Sequence, residues 1–149
     1  MSKRNLRLSA NSEEDLKVIS AHLQDSITRT GNIAHLKKNR LFLIEFNRFM
    51  WEDIEKGITR KNKRVQSVLK FHNVLNVSVK NLNQKNKERF LDFLAIESKF
   101  LSDKSYEIKL HFAGNILIKM NVEVIDCFLD DQGEPWETKN MPKRDLFND

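Results

Sequence analysis

Between Tyr106 and Leu129 the chain reads YEIKLHFAGNILIKMNVEVIDCFL, and apolar and polar positions alternate through most of it. Tyr106, Ile108, Leu110 and Phe112 alternate with Glu107, Lys109 and His111, the period of two that marks a strand with one buried face. Ile116, Ile118, Met120, Val122 and Val124 alternate with Lys119, Asn121 and Glu123, so a second such strand follows, with Leu117 as its exception. Directly opposed residues of antiparallel strands point to the same face, so the phase of the two runs sets the turn between them. A two-residue Gly114-Asn115 loop would set Leu110 against Lys119 and place a lysine in the core. A three-residue loop, Ala113-Gly114-Asn115, with Asn115 in the left-handed conformation that Asn tolerates, instead pairs Phe112 with Ile116 and Leu110 with Ile118. The same register opposes Lys109 to Lys119 on the wet face, a mildly unfavourable pair.

Other elements precede this hairpin. Ser12 can cap a helix whose first turn carries Glu13, Glu14 and Asp15, where the positive end of the helix dipole favours acids. Leu16, Ile19, Leu23 and Ile27 then form one narrow apolar stripe, with His22 beside it, so the helix is expected to lie on a sheet. Gly31-Asn32 reads as a turn, Ile33 to Leu36 as a short strand, and Lys37-Lys38-Asn39-Arg40 as a polar hairpin connection. In the strand that follows, Phe42, Ile44 and Phe46 share a face, Arg48 interrupts it, and Phe49 and Trp51 continue on the other. Such a phase change implies a β-bulge or a strand buried on both faces near Leu41 to Ile44.

The run KGITRKNKR, residues 56–64, lacks apolar periodicity and reads as an exposed basic loop. Val65, Leu69 and Phe71 then form a strand that is expected to pair, through a His72-Asn73 turn, with a strand carrying Leu75, Val77 and Val79. Residues 80–89 form a second basic, Asn-rich loop, and Phe90 to Phe100 a further strand with Leu94, Ile96 and Phe100 inward. Beyond Val124 the alternation is lost, which implies a bulge or deeper burial, with Cys127 packed. Residues 1–5 and 131–149 read as tails, with Trp136 able to dock back onto the sheet.

The segments LRLSANSEEDLKVISAHLQD, NRFMWE, FHNVL, FLAIE and FAGNILIKMNVEVIDCFLDDQGEPWET, in that order along the chain, together resemble a small alphaproteobacterial family of uncharacterised proteins. The resemblance implies a compact cytoplasmic domain and carries over no catalytic residue.

Composition adjusts the picture in few places. A length of 149 residues with 40% hydrophobic content and ten Phe suits one domain with a sizeable core. The single cysteine excludes an internal disulfide and fits a reducing compartment, and no long apolar run suggests a signal or membrane anchor, so a cytoplasmic protein is expected. The net charge of +5 raises the question of nucleic acid. Because the cations are mostly Lys among abundant Asn, the composition of an AT-rich genome accounts for the same charge.

Chemistry is mainly excluded. The four glycines, at 31, 57, 114 and 133, have no spacing that a phosphate-binding turn could use. The histidines at 22, 35, 72 and 111 are never three to five residues apart, and one cysteine cannot build a thiolate zinc site. Asp126, Asp130, Asp131 and Glu134 match no calcium loop and read as hydrated carboxylates. An enzyme would require convergence in space, with His72, His111 and an acid such as Glu45 or Glu97 meeting.

The expected fold is α+β, a single N-terminal helix on a strongly bent, mainly antiparallel sheet of about six to eight strands, with a small closed barrel as its limiting form. The expected function is a non-catalytic protein-interaction or structural domain with no cofactor, no metal and no membrane contact, its partner a protein. The alternative is single-stranded RNA binding through loops 56–64 and 80–89. The candidate surface consists of Phe49, Trp51, Lys56, Arg60, Lys61, Lys63 and Arg64, pairing exposed aromatics with cations.

Overall fold

A computed structural model describes residues 6–52 and 62–138 of the chain. The chain order is β1 (Arg7–Ala10), α1 (Glu13–Leu23), β2 (Ile27–Arg29), β3 (Ile33–Leu36), β4 (Leu41–Phe49), β5 (Lys63–Phe71), β6 (Val74–Lys80), β7 (Phe90–Phe100), β8 (Tyr106–Phe112), β9 (Ile116–Val122) and β10 (Cys127–Glu137). The architecture is the expected α+β, but the strands number ten among the described residues and the sheet curls strongly without closing into a barrel. All pairings are antiparallel, in the order β1-β10-β5-β4-β2-β7-β8-β9-β6, with β3 added to β4. The three residues of β2 join two halves, pairing Thr28 with Leu91 of β7 and Ile27 with both Asp92 of β7 and Asn47 of β4. Thr28 strengthens the join, its hydroxyl donating to the Glu45 carbonyl at 2.6 Å.

The hairpin has the register that phase demands, with Phe112 opposite Ile116, Leu110 opposite Ile118 and Lys109 opposite Lys119. Gly114 and Asn115 both take positive φ, 83° and 60°, so the turn uses two left-handed positions rather than one. Ile108, Leu110, Phe112, Ile116, Ile118, Met120 and Val122 are buried on one face, and Tyr106 is half-buried beside them. The helix also follows its sequence. Ser12 Oγ accepts from the Asp15 amide at 3.1 Å, and Leu16, Ile19 and Leu23 face the core. Ile27 lies beyond the helix in β2 instead of extending the stripe, because the chain ends the helix after Leu23 and turns at Asp25, whose φ is 63°. At the centre of the core, Phe93 of β7 meets Phe46 of β4 and Phe112 of β8 edge to face, at 5.5 and 5.7 Å, so aromatic packing also links the two halves.

Several expectations fail for tertiary reasons. β5 and β6 do not pair; β5 lies between β4 and β10, while β6 pairs with β9. His72-Asn73 is therefore a crossing between halves, tied to the return crossing by bonds from the His72 amide to the Asp126 carbonyl and from the Glu123 amide to the Asn73 carbonyl. In β7 the register shifts between Phe93 and Ala95, so Leu91, Phe93 and Ile96 turn inward while Leu94 and Phe100 are exposed. No bulge occurs in β4, whose register with β5 runs unbroken from Phe42 opposite Phe71 to Phe49 opposite Arg64. Arg48 does not interrupt the inward face but continues it. The reading of 131–149 as a tail fails at its start, since residues 131–137 continue β10 and Trp136 lies opposite Arg64 as part of that strand.

Candidate functional site

Among the described residues, the two aromatics and Arg64 of the proposed surface lie inside the fold. Phe49 and Trp51 are buried, with ring centroids 4.6 Å apart, and the Trp51 indole donates to the Gln24 carbonyl at 2.8 Å. Arg64 is also inside, its guanidinium over the Phe49 ring at 5.6 Å and donating to the Asn47 carbonyl at 3.0 Å. Burial lowers its pKa, against the opposing pull of Asp25 and Asp92. The physical reason is the β4–β5 register, which sets Phe49 opposite Arg64 and lets the cation shield the ring from water. Lys63 is the half-buried first residue of β5, and Lys56, Arg60 and Lys61 lie outside the described residues.

The histidines do not converge. His111 Nε2 meets Glu97 Oε1 at 2.8 Å across β8 and β7, and this contact holds the Glu97 carboxyl below its ordinary range. His72 packs edge-on against Phe128, and Glu45 is occupied by Gln66 at 2.6 Å. His22 directs Nδ1 to the Val18 carbonyl at 2.9 Å. Cys127 is buried, and burial, then Asp126, pushes its thiol up, away from the thiolate that a nucleophile needs.

The largest buried charge is Arg48, 0% exposed. Its guanidinium clamps two carboxylates, donating to Glu52 at 2.8 and 2.7 Å and to Asp131 at 3.1 and 2.8 Å. Asp131 also accepts from the Ser67 hydroxyl and from the Leu6 amide, the latter at 3.1 Å. Burial would lower the Arg48 pKa, but the Glu52 and Asp131 hydrogen bonds outweigh it and raise it. Each carboxylate oxygen accepts a hydrogen bond from within the chain, so the cluster ties β4, β5 and β10 to Leu6, just before β1. The sequence showed Arg48 and Asp131 separately; only their distance of 83 positions hid the pair.

The remaining candidate lies along β6, the terminal strand of the sheet. A hollow of about 280 Å³ is lined by Ile33, Phe42, Val77, Val79, Leu82 and Ile118, with Lys37 and Lys87 on its rim. A second, of about 290 Å³, is lined by Val74, Leu75, Asn76 and Val77 together with His35, Lys37 and Arg40. The two share His35, Lys37 and Val77 and so form one groove. Every residue from Val74 to Val79 borders it. Successive side chains of a strand point to opposite faces, so a groove bordered by all of them runs along the edge of β6, not over one face. Ile33, His35 and Lys37, which alternate, form the opposite wall.

The electrostatics of the groove have one sign. No carboxylate lines either hollow, and neither Lys37 nor Lys87 has an ion-pair partner among the described residues. Arg40 is paired with Glu123 at 2.9 Å. Burial, then the charge of Lys37, lowers the His35 pKa. Thr30, 5% exposed, also lines the first hollow, and its hydroxyl has no hydrogen-bond partner. An unsatisfied buried hydroxyl costs about 1–3 kcal/mol, which a ligand acceptor could recover.

A family described as protein of unknown function, DUF2948, matches residues 6–144. The chain belongs to this family. The match covers every described element, so the DUF2948 domain includes both halves of the sheet, the helix and the groove. Comparison with curated proteins and with solved structures found no match. No helix among the described residues is long and apolar enough to cross a membrane.

Proposed function

We propose that this DUF2948 chain is a non-catalytic protein-interaction domain that uses the groove along β6 as its contact surface. One observation carries the reading: a groove in which Ile33, Phe42, Val77 and Val79 alternate with polar side chains borders β6 from Val74 to Val79, and this terminal strand pairs on one side alone, with β9. A strand edge with unpaired backbone groups is a template for another chain. Solvent-facing Leu75 adds an apolar side chain at the rim. The setting we assign is the bacterial cytoplasm, supported by the lone buried thiol and by the resemblance noted above.

Affinity capture from the native host with the full chain, compared with Val79→Glu, tests this. Val79 is half-buried at the groove and packs against the core opposite Ile118, so the far-UV circular dichroism and urea midpoint of the variant are compared with the wild type first. A protein retained by the wild type and lost with the folded variant is the expected result. Equal capture by both, or co-purification of RNA that survives about 150 mM salt, would overturn it, since non-specific attraction is marginal there.

A further inference from the structure

We infer that the groove takes an extended, acidic peptide segment of a partner protein as an added strand along the free edge of β6. The inference rests on the protein-interaction reading above and names the chemistry of the partner.

Edges that must stay unpaired are usually short, charged or interrupted by proline. The other terminal strand, β1, has four residues, as does β3. By contrast β6 has seven, VLNVSVK, with no proline or glycine and with its one charge at the end. It is therefore the long edge left unprotected among the described strands. At one end the Val74 amide bonds the Arg40 carbonyl at 2.9 Å, which closes the seam there and leaves the stretch from Leu75 to Lys80 open. An added strand would gain backbone hydrogen bonds from this edge. Its alternate side chains would meet Ile33, Phe42, Val77 and Val79 on the groove floor. Strand addition thus supplies affinity from main chain and selectivity from alternate pockets.

Charge selects the peptide. Lys37 and Lys87 are exposed on the rim, and neither has an ion-pair partner among the described residues. With no carboxylate in the lining, a basic peptide would meet only like charge, whereas Asp or Glu side chains would be attracted from either wall. The unpaired Thr30 hydroxyl provides a donor for an acceptor that reaches the base of the hollow.

The test is selection from a displayed library of random dodecapeptides against the full chain at about 150 mM salt. The expected consensus alternates β-branched or aromatic residues with Asp or Glu. A synthetic peptide of that consensus should slow amide hydrogen exchange in residues 75–80, and its affinity should fall by about tenfold with Lys37→Glu and Lys87→Glu together. Both substitutions are at exposed positions, so the variant serves as a folded control. A basic or uncharged consensus, or protection placed elsewhere, overturns the inference. A concentration-dependent dimer that Val79→Glu abolishes would assign the edge to a second copy. No selected peptide, with exchange of 75–80 accelerated by removing residues 139–149, would assign it to the chain's own C-terminal segment. Host-protein capture that persists while these peptide experiments fail would leave the protein-interaction reading standing and sink strand addition alone.

Discussion

Arg48 shows how a single buried charge can be satisfied and still be a liability. The guanidinium has two bidentate carboxylate partners, so removing one strips half of the hydrogen bonds from a charge that water cannot reach. Replacement of Asp131 with Ala is expected to cost about 3–5 kcal/mol, read from the urea midpoint. Because desolvation offsets much of the ion-pair energy, replacing all three members together, Arg48→Met with Asp131→Leu and Glu52→Gln, should cost less than the sum of the three single changes. The cluster also sets an acid limit. Burial would raise the Glu52 pKa, but the hydrogen bond from Arg48 outweighs it and holds the carboxyl below its ordinary value of 4.5. A carboxylate whose folded pKa is depressed stabilises the fold above its unfolded pKa, and loses that contribution as pH falls through the folded value. Thermal midpoints should therefore drop below about pH 4.5, and Glu52→Gln should flatten that drop while lowering the midpoint at neutral pH.

Among the elements, the β8–β9 hairpin is the one whose register follows from its local pattern. Leu110 is fully buried against the core, and Leu110→Ala should cost about 2–5 kcal/mol in denaturant unfolding. At Asn115, where φ is 60°, a β-branched residue is strained, so Asn115→Val should lower stability while Asn115→Gly should be tolerated. A two-residue turn would reverse that preference for the whole strand, because one residue of slip moves Lys119 into the core. β7 and β4 behave differently. The shift between Phe93 and Ala95 turns Leu94 outward, and the buried Arg48 mimics a polar interruption in a strand that has none. Both are invisible to a count of alternating residues, since periodicity records polarity and not whether a polar group has found a partner.

At the scale of the whole molecule, the sheet is two blocks held by β2, whose three residues pair with both β4 and β7. Thr28→Val keeps the shape and removes the hydroxyl bond to Glu45, so amide exchange should quicken in β2 and β7 more than in the β5–β10 pairing. Equal acceleration across both blocks would mean that the join is not a local weak point. The open seam has the same origin as this weak join: with only a short bridging strand, the curl brings β6 near β3 without pairing the two, and the groove is what lies between them.

From the sequence alone came the α+β class, the cap and stripe of α1, the odd-length hairpin turn and the strand positions from Ile33 to Phe71, because each depends on neighbours within a few residues. Tertiary structure alone decided the strand order, the separation of β5 from β6, the continuation of β10 through residues 131–137 and the inward turn of Phe49, Trp51 and Arg64. Those outcomes depend on partners far along the chain. The candidate site belongs to the same class: Lys37, Thr30 and Phe42 stand 37 to 57 residues from Val79 and Lys87, and no local pattern distinguishes a rim lysine from the many that composition places on the surface. What joins them is the failure of a curled sheet to close, a property of ten strands together and of none singly.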